Sequence, residues 1–179
     1  MSLYDDALAV LSGWHPRNDQ QRRLQASYVR HLRDHPDGLH RECHPDHITA
    51  STLVVSGDRT HVLLHLHRKY EIWVQLGGHC EATDETLAGA ALREASEESG
   101  IADLQLLGMV PMQLSTHAVR CGPMSPAHHL DVRYVAEAPT DARLAVSEES
   151  LELSWFDRQR LPRGVDASLR ELIEWSVSR

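Results

Sequence analysis

A chain that passes from a short apolar strand into a double glycine, then a loop, then an amphipathic helix edged with three acids has few ways to fold. That order runs here through "EIWVQL", "GGHCEATDE" and "TLAGAALREASEESGI", ending at Ile101. Ala88, Ala91, Leu92 and Ala95 recur at helical spacing and share one face. Asp84 is placed to cap the helix start, and Gly100 followed by Ile101 suits a left-handed stop with its apolar contact. At about 100° per residue, Glu94, Glu97 and Glu98 fall in a sector of roughly 100° beside the apolar face. Like charges at these spacings repel by roughly 0.2–0.5 kcal/mol per pair. A cluster of hard oxygen donors at the rim of a core suits Mg²⁺ or Mn²⁺, which would cancel that repulsion. The plain alternative is a solvated acidic face. Gly77 and Gly78, directly after the strand, let the backbone approach a ligand or metal closely.

The segments around this block have their own periods. Leu3, Ala7, Leu8 and Leu11 form one helical stripe, and Leu24, Tyr28, Val29 and Leu32 form another, so residues 1–47 read as an N-terminal helical extension. From Thr49 the period changes to that of strands: "TLVVS" and "HVLLHLH" flank the hairpin signal "SGDRT", and "EIWVQL" follows. After the acidic helix come "LQLLGMVPMQL", "LDVRYVAEA" and "LELSWF" as strands. "ASLRELIEWSV" closes the chain as an amphipathic helix with Leu169, Leu172 and Ile173 inward. Strands on both sides of a central helix, with another helix at the end, predict an α/β sandwich with a mixed sheet, over residues 48–179.

Charge and cysteine content exclude several classes. A formal charge of -8 argues against general nucleic-acid binding, though not against a phosphorylated small molecule met through a cation. No run of eighteen apolar residues offers a membrane span, and the early acids of "MSLYDDALAVLSGW" are unlike a secretion signal, so the expectation is a soluble cytoplasmic protein. Cys43, Cys80 and Cys121 are odd in number and widely spaced, which suits reduced thiols.

Taken together, "GGHCEATDETLAGAALREASEESGI" resembles the Nudix box, G-x5-E-x7-R-E-U-x-E-E-x-G-U with U apolar. Seven residues separate Glu85 from Arg93, and "REASEESGI" matches the closing part with Ala95 at the first U. One departure stands out: six residues, not five, separate Gly78 from Glu85. The resemblance implies a Nudix-like α/β/α sandwich and a hydrolase of diphosphate bonds in nucleoside diphosphate-linked small molecules. Its implied cofactor is Mg²⁺, with Mn²⁺ as substitute. Glu94, Glu97 and Glu98 would bind metal with the Gly77 carbonyl, while Glu85 and Arg93 would orient those ligands. Alternatives of the same fold are an isopentenyl diphosphate isomerase-like enzyme, which holds a metal through histidines, and a non-catalytic nucleotide sensor.

Other residues have weaker claims. A carboxylate must take the proton of the attacking water, and "SEESLELSWF" offers Glu148, Glu149 and Glu152, of which Glu149 is favoured. His79 sits at the mouth of the proposed site and His47 at a strand entrance. Arg68, Lys69 and Arg133 could meet anionic substrate groups, with surface charge as the plain alternative. Tyr70, Trp73 and Trp14 could stack on a base or pack the core. Residues 115–129, "STHAVRCGPMSPAHH", read as a loop that contributes to substrate contact. The helical extension suits either a cover for the site or a homodimer interface.

Overall fold

A computed structural model describes residues 2–119, 127–145, 147 and 150–177. Two helices come first, α1 (Leu3–Gly13) and α2 (Asp19–Asp34). Strands β1 (His47–Val55), β2 (His61–His67), β3 (Trp73–Val74) and β4 (Leu76–His79) lead to α3 (Leu87–Ser99). Strands β5 (Gln105–Leu106), β6 (Gln113–Val119), β7 (Ala127–Glu137) and β8 (Ser150–Asp157) precede α4 (Ala167–Ser176). Among the described residues, no helix is long and apolar enough to cross a membrane.

The strands join in one curled mixed sheet. Its main path is β3-β2-β1-β7-β5, with β4 on β1, β6 on β7 and β8 on β2. Among the described residues only β1 and β7 run parallel, and their nine-residue register, from His47↔His129 to Val55↔Glu137, is the spine of the fold.

Strand β1 is buried along its whole length, so both of its faces are covered. Alternation sends Ile48 and Ala50 into a core shared with Ala7, Leu11, Tyr28, Leu32, Ala90 and Ala91 of α1, α2 and α3. Leu53 and Val55 point the other way, onto Leu169, Leu172 and Ile173 of α4. Helices therefore flank the sheet on both sides, as its period predicts. The remaining residues of the α4-facing side, His47, Thr49 and Ser51, are polar yet buried. Partners on β7 satisfy two of them: Thr49 Oγ1 and Ser51 Oγ donate to Asp131 at 3.2 and 2.8 Å.

The N-terminal helices are bound into this structure. Gln21 of α2 donates to the Leu114 carbonyl at 2.9 Å and accepts from the Leu114 amide at 2.7 Å, completing backbone groups of β6. Trp14, expected either to stack or to pack, packs in the core and donates to the Pro111 carbonyl at 2.7 Å. Asp6 of α1 accepts from the Leu87 amide at 2.8 Å, so the extension helps to cap α3.

Four local expectations need correction. "EIWVQL" is two short strands that pair with different neighbours: β3 lies on β2 and β4 on β1. β4 also extends into the double glycine, so residues 77–79 of the expected loop "GGHCEATDE" lie in the sheet. "LQLLGMVPMQL" likewise divides into β5 and β6. Residues 115–119 and 127–129 of the expected substrate loop are strand, paired from Ser115↔Asp131 to Val119↔Ala127.

Candidate active site

The acidic helix begins at Thr86, whose hydroxyl accepts from the Gly89 amide at 3.0 Å. Asp84, the cap expected from sequence, is committed elsewhere. Arg93 grips it through two parallel bonds, Nε to Oδ1 at 3.0 Å and Nη2 to Oδ2 at 2.9 Å, and the Glu81 amide donates to Oδ2 at 2.8 Å. Burial pushes the Asp84 carboxyl upward, but these donors outweigh it and hold the group below the usual range, so it stays ionised. At the other end Gly100 adopts φ 72° and its amide returns to the Ser96 carbonyl, as the glycine predicts.

Arg93 is the hub of the site. Nη1 donates to Glu94 and Glu97 at 3.0 Å each, and Nη2 donates to the His79 carbonyl at 3.1 Å. The repulsion expected along this edge is thus partly met from within the helix by a guanidinium one residue before Glu94 and four before Glu97. Glu98 turns away from Arg93 and accepts from the Gly77 amide at 2.7 Å. Its other oxygen lies 3.8 Å from His65 Nδ1. Burial, and then His67 nearby, push His65 down to about 4, so the ring is neutral at pH 7 and this contact is not an ion pair. The acids are graded in exposure: Glu98 is buried, Glu94 half-buried and Glu97 exposed.

Asp84 is the acid that Arg93 holds. Glu85 is exposed beside the Thr86 cap. The carboxylate paired with Arg93 is therefore Asp84, separated from Gly78 by five residues, rather than the Glu85 that the seven-residue spacing suggests. Asp84→Asn is expected to lower hydrolytic activity about 10- to 100-fold by removing the anion that fixes Arg93. Glu85→Gln should change it by less than about threefold. Steady-state rates of the two variants decide, and the opposite order would restore Glu85 to the role.

Other expected site residues are less available than their sequence suggested. Arg133 is buried: Nε donates to Asp131 at 2.9 Å, and Nη1 donates to Gln113 Oε1 and Ser168 Oγ at 3.0 and 2.9 Å, so it ties β7 to β6 and α4. Arg68 is exposed and donates to the Ser150 carbonyl at 3.1 Å. The Lys69 ammonium lies 5.4 Å from the centre of the Tyr70 ring. Trp73 packs edge-on against Phe156. Glu148, the favoured Glu149 and Cys121 lie outside the described residues. Glu152 is exposed on β8 and accepts from Ser154 at 2.8 Å. His129, the last residue of the loop expected at 115–129, lies on β7. Its ring lies 4.9 Å from that of His47 and 5.1 Å from that of His79.

The residues along α3 suit a divalent cation with oxygen ligands. Three carboxylates supply hard donors. Gly78 keeps a gap open beside them, since a Cβ there would stand 2.7 Å from Glu94 Oε2.

Comparison with protein families matches a NUDIX domain over residues 45–176. Comparison with curated protein sequences finds no match. Among solved structures, a NUDIX-family hydrolase from Clostridium perfringens aligns with a TM-score of 0.56 and 24% identity over 72% of this chain and 96% of its own. An Ap4A hydrolase binary complex from C. elegans aligns at 0.58 and 17% over 72% and 93%. The dihydroneopterin triphosphate pyrophosphohydrolase of E. coli aligns at 0.55 and 19% over 71% and 92%. These likenesses are of fold, and the domain match carries the assignment. The chain belongs to the Nudix family and is a hydrolase acting on phosphoric anhydride bonds.

Proposed function

We propose that this protein is a cytoplasmic, Mg²⁺-dependent pyrophosphohydrolase that cleaves the diphosphate bond of a nucleoside diphosphate-linked small molecule, with Mn²⁺ as substitute. The observation that carries this reading is the approach of the glycine strand to the acidic edge of α3, where Gly77 donates to Glu98 and Gly78 leaves room for Glu94. Glu94, Glu97 and Glu98 would hold the cation, together with the Gly77 carbonyl. When bound, a divalent cation neutralises diphosphate charge and lowers the pKa of a coordinated water. Arg93 orients Glu94 and Glu97 while Asp84 and the His79 carbonyl hold Arg93. The Gly77 amide orients Glu98. The water oxygen bonds to phosphorus, the bridging P–O bond breaks, and a carboxylate takes the water's proton. Glu149 and Glu152 of the later segment are candidates for that base beside the helix acids.

Two structural neighbours are an Ap4A hydrolase and a dihydroneopterin triphosphate pyrophosphohydrolase, and these compounds guide the choice of what to test. A panel of nucleoside diphosphate sugars, dinucleoside polyphosphates, nucleoside triphosphates and prenyl diphosphates, each with Mg²⁺ and Mn²⁺, is expected to give metal-dependent cleavage of at least one diphosphate-linked nucleotide. Double-bond migration in a prenyl diphosphate without cleavage would replace the hydrolase reading with an isomerase. Binding without turnover across the panel would replace it with a sensor.

A further inference from the structure

His47, His79 and His129 come from three adjacent strands of one sheet. His47 is the register partner of His129, and His79 pairs with Thr49, two residues on from His47 and on the same face. The three rings stand 4.9 to 5.1 Å apart, and each residue offers a ring nitrogen within 4.8 Å of the other two. Nε2 of all three is buried and has no hydrogen-bond partner among the described residues. A buried polar atom left unpaired costs about 1–3 kcal/mol, so three in one place require an account. His47 shows which form its ring takes. Its Nδ1 faces the Cys43 carbonyl at 3.3 Å and must be the N–H that donates there, which leaves Nε2 as a bare lone pair. A backbone carbonyl holding the far nitrogen is the usual support of a metal-binding imidazole.

The geometry points to a second cation site at His47, His79 and His129, distinct from the carboxylate set of α3 and selective for a nitrogen-preferring transition cation of the Zn²⁺ class. One such ion gives three orphaned ring nitrogens a partner at once. Imidazole suits Zn²⁺, Co²⁺ or Ni²⁺, whereas Mg²⁺ prefers oxygen, so the two sites select different ions. Nitrogens bound to one Zn²⁺ at about 2.0–2.1 Å lie roughly 3.3–3.6 Å apart, so small ring rotations bring these three into place. Three protein ligands leave a fourth position for water or an anion. The site does not depend on the hydrolase reading, and its test reads metal rather than turnover.

The purified chain is stripped with chelator, incubated with Zn²⁺ or Co²⁺, desalted and assayed for metal by mass spectrometry. The parent should retain about one Zn²⁺ per chain and show visible Co²⁺ absorption bands, with X-ray absorption reporting nitrogen neighbours at about 2.0–2.1 Å. Glu97→Gln should keep the ion. So should Cys43→Ser, which probes the other close grouping, His35, Asp37 and Cys43. His79→Asn and His129→Asn should each weaken binding more than about a hundredfold. Absence of retained zinc in the parent, retention by both histidine variants, loss in Cys43→Ser, or sulfur and oxygen neighbours without nitrogen would each overturn the proposal. The absorption measurement on the parent stands even if a histidine variant fails to fold.

Discussion

Glu97→Gln is expected to lose hydrolysis by on the order of 10²–10³-fold in kcat while its melting temperature stays within about 2 °C of the parent. The two halves follow from the same observation. Glu97 is 60% exposed as a side chain, and among the described residues its ion pair is with Arg93 at 3.0 Å. An exposed pair of this kind contributes about 0–1 kcal/mol, and solvent screening places it at the lower end. Arg93 keeps Asp84 and Glu94 when Glu97 is neutralised. Activity is another matter, because an amide cannot supply the negative oxygen that a divalent cation takes from a carboxylate. Glu98→Gln is a poorer probe. It keeps an acceptor for the Gly77 amide but puts new N–H donors where Glu98 is only 5% exposed, and a buried unpaired donor costs about 1–3 kcal/mol. Phosphate release, together with a Mg²⁺-dependent rise in melting temperature, checks the prediction. Turnover within threefold of the parent, or an unchanged thermal response to metal, would remove Glu97 from the metal set.

The difference between what the sequence reveals and what it conceals follows from the range of the interactions. The stripe of Ala88, Ala91 and Ala95, the αL stop at Gly100 and the acid edge depend on residues a turn apart, and the helix has them all. The cap failed because Asp84 had two possible partners. Its local one, the helix start, lost to Arg93, nine residues on, and Thr86 took the cap instead. The same choice gives Arg93 the Asp84 carboxylate in place of the Glu85 that the seven-residue spacing suggests. β4 was hidden for a different reason. Two glycines carry no side chain to show alternation, and only the β1 partners Ala50 and Ser51 mark that segment as strand. Arg133 reads as surface charge in one dimension because Asp131, Gln113 and Ser168, which bury it, lie on three different elements. The histidine triangle is likewise a product of register: 31 residues separate His47 from His79 and 49 separate His79 from His129, so strand pairing brings them together.

The largest effect on stability is expected at Gly77. It sits at φ 153°, a conformation open to glycine and strained for residues with a Cβ. A Cβ there would stand 2.3 Å from Ser51 Cβ, 2.5 Å from Ser51 Cα and 2.7 Å from the Ala50 carbonyl oxygen. Two of these three atoms are backbone of the central strand, so no rotamer change relieves the overlap, and β4 must move off β1. Gly77→Ala should therefore cost at least about 3 kcal/mol and lower the melting temperature by roughly ten degrees. Gly78→Ala makes the contrast. Its Cβ would meet Glu94, 2.7 Å from Oε2 and 2.9 Å from Cδ, and that carboxylate is the far end of a flexible chain. The fold should survive with a melting temperature within about 3 °C of the parent, while displacement of Glu94 lowers kcat by on the order of tenfold or more. Adjacent glycines thus separate two requirements: Gly77 lets β4 lie against β1, and Gly78 leaves the Glu94 carboxylate its place beside the strand. Thermal denaturation and initial rates on both variants test this division. Equal melting temperatures for the two would show that the contact with Ser51 does not hold β4 in place.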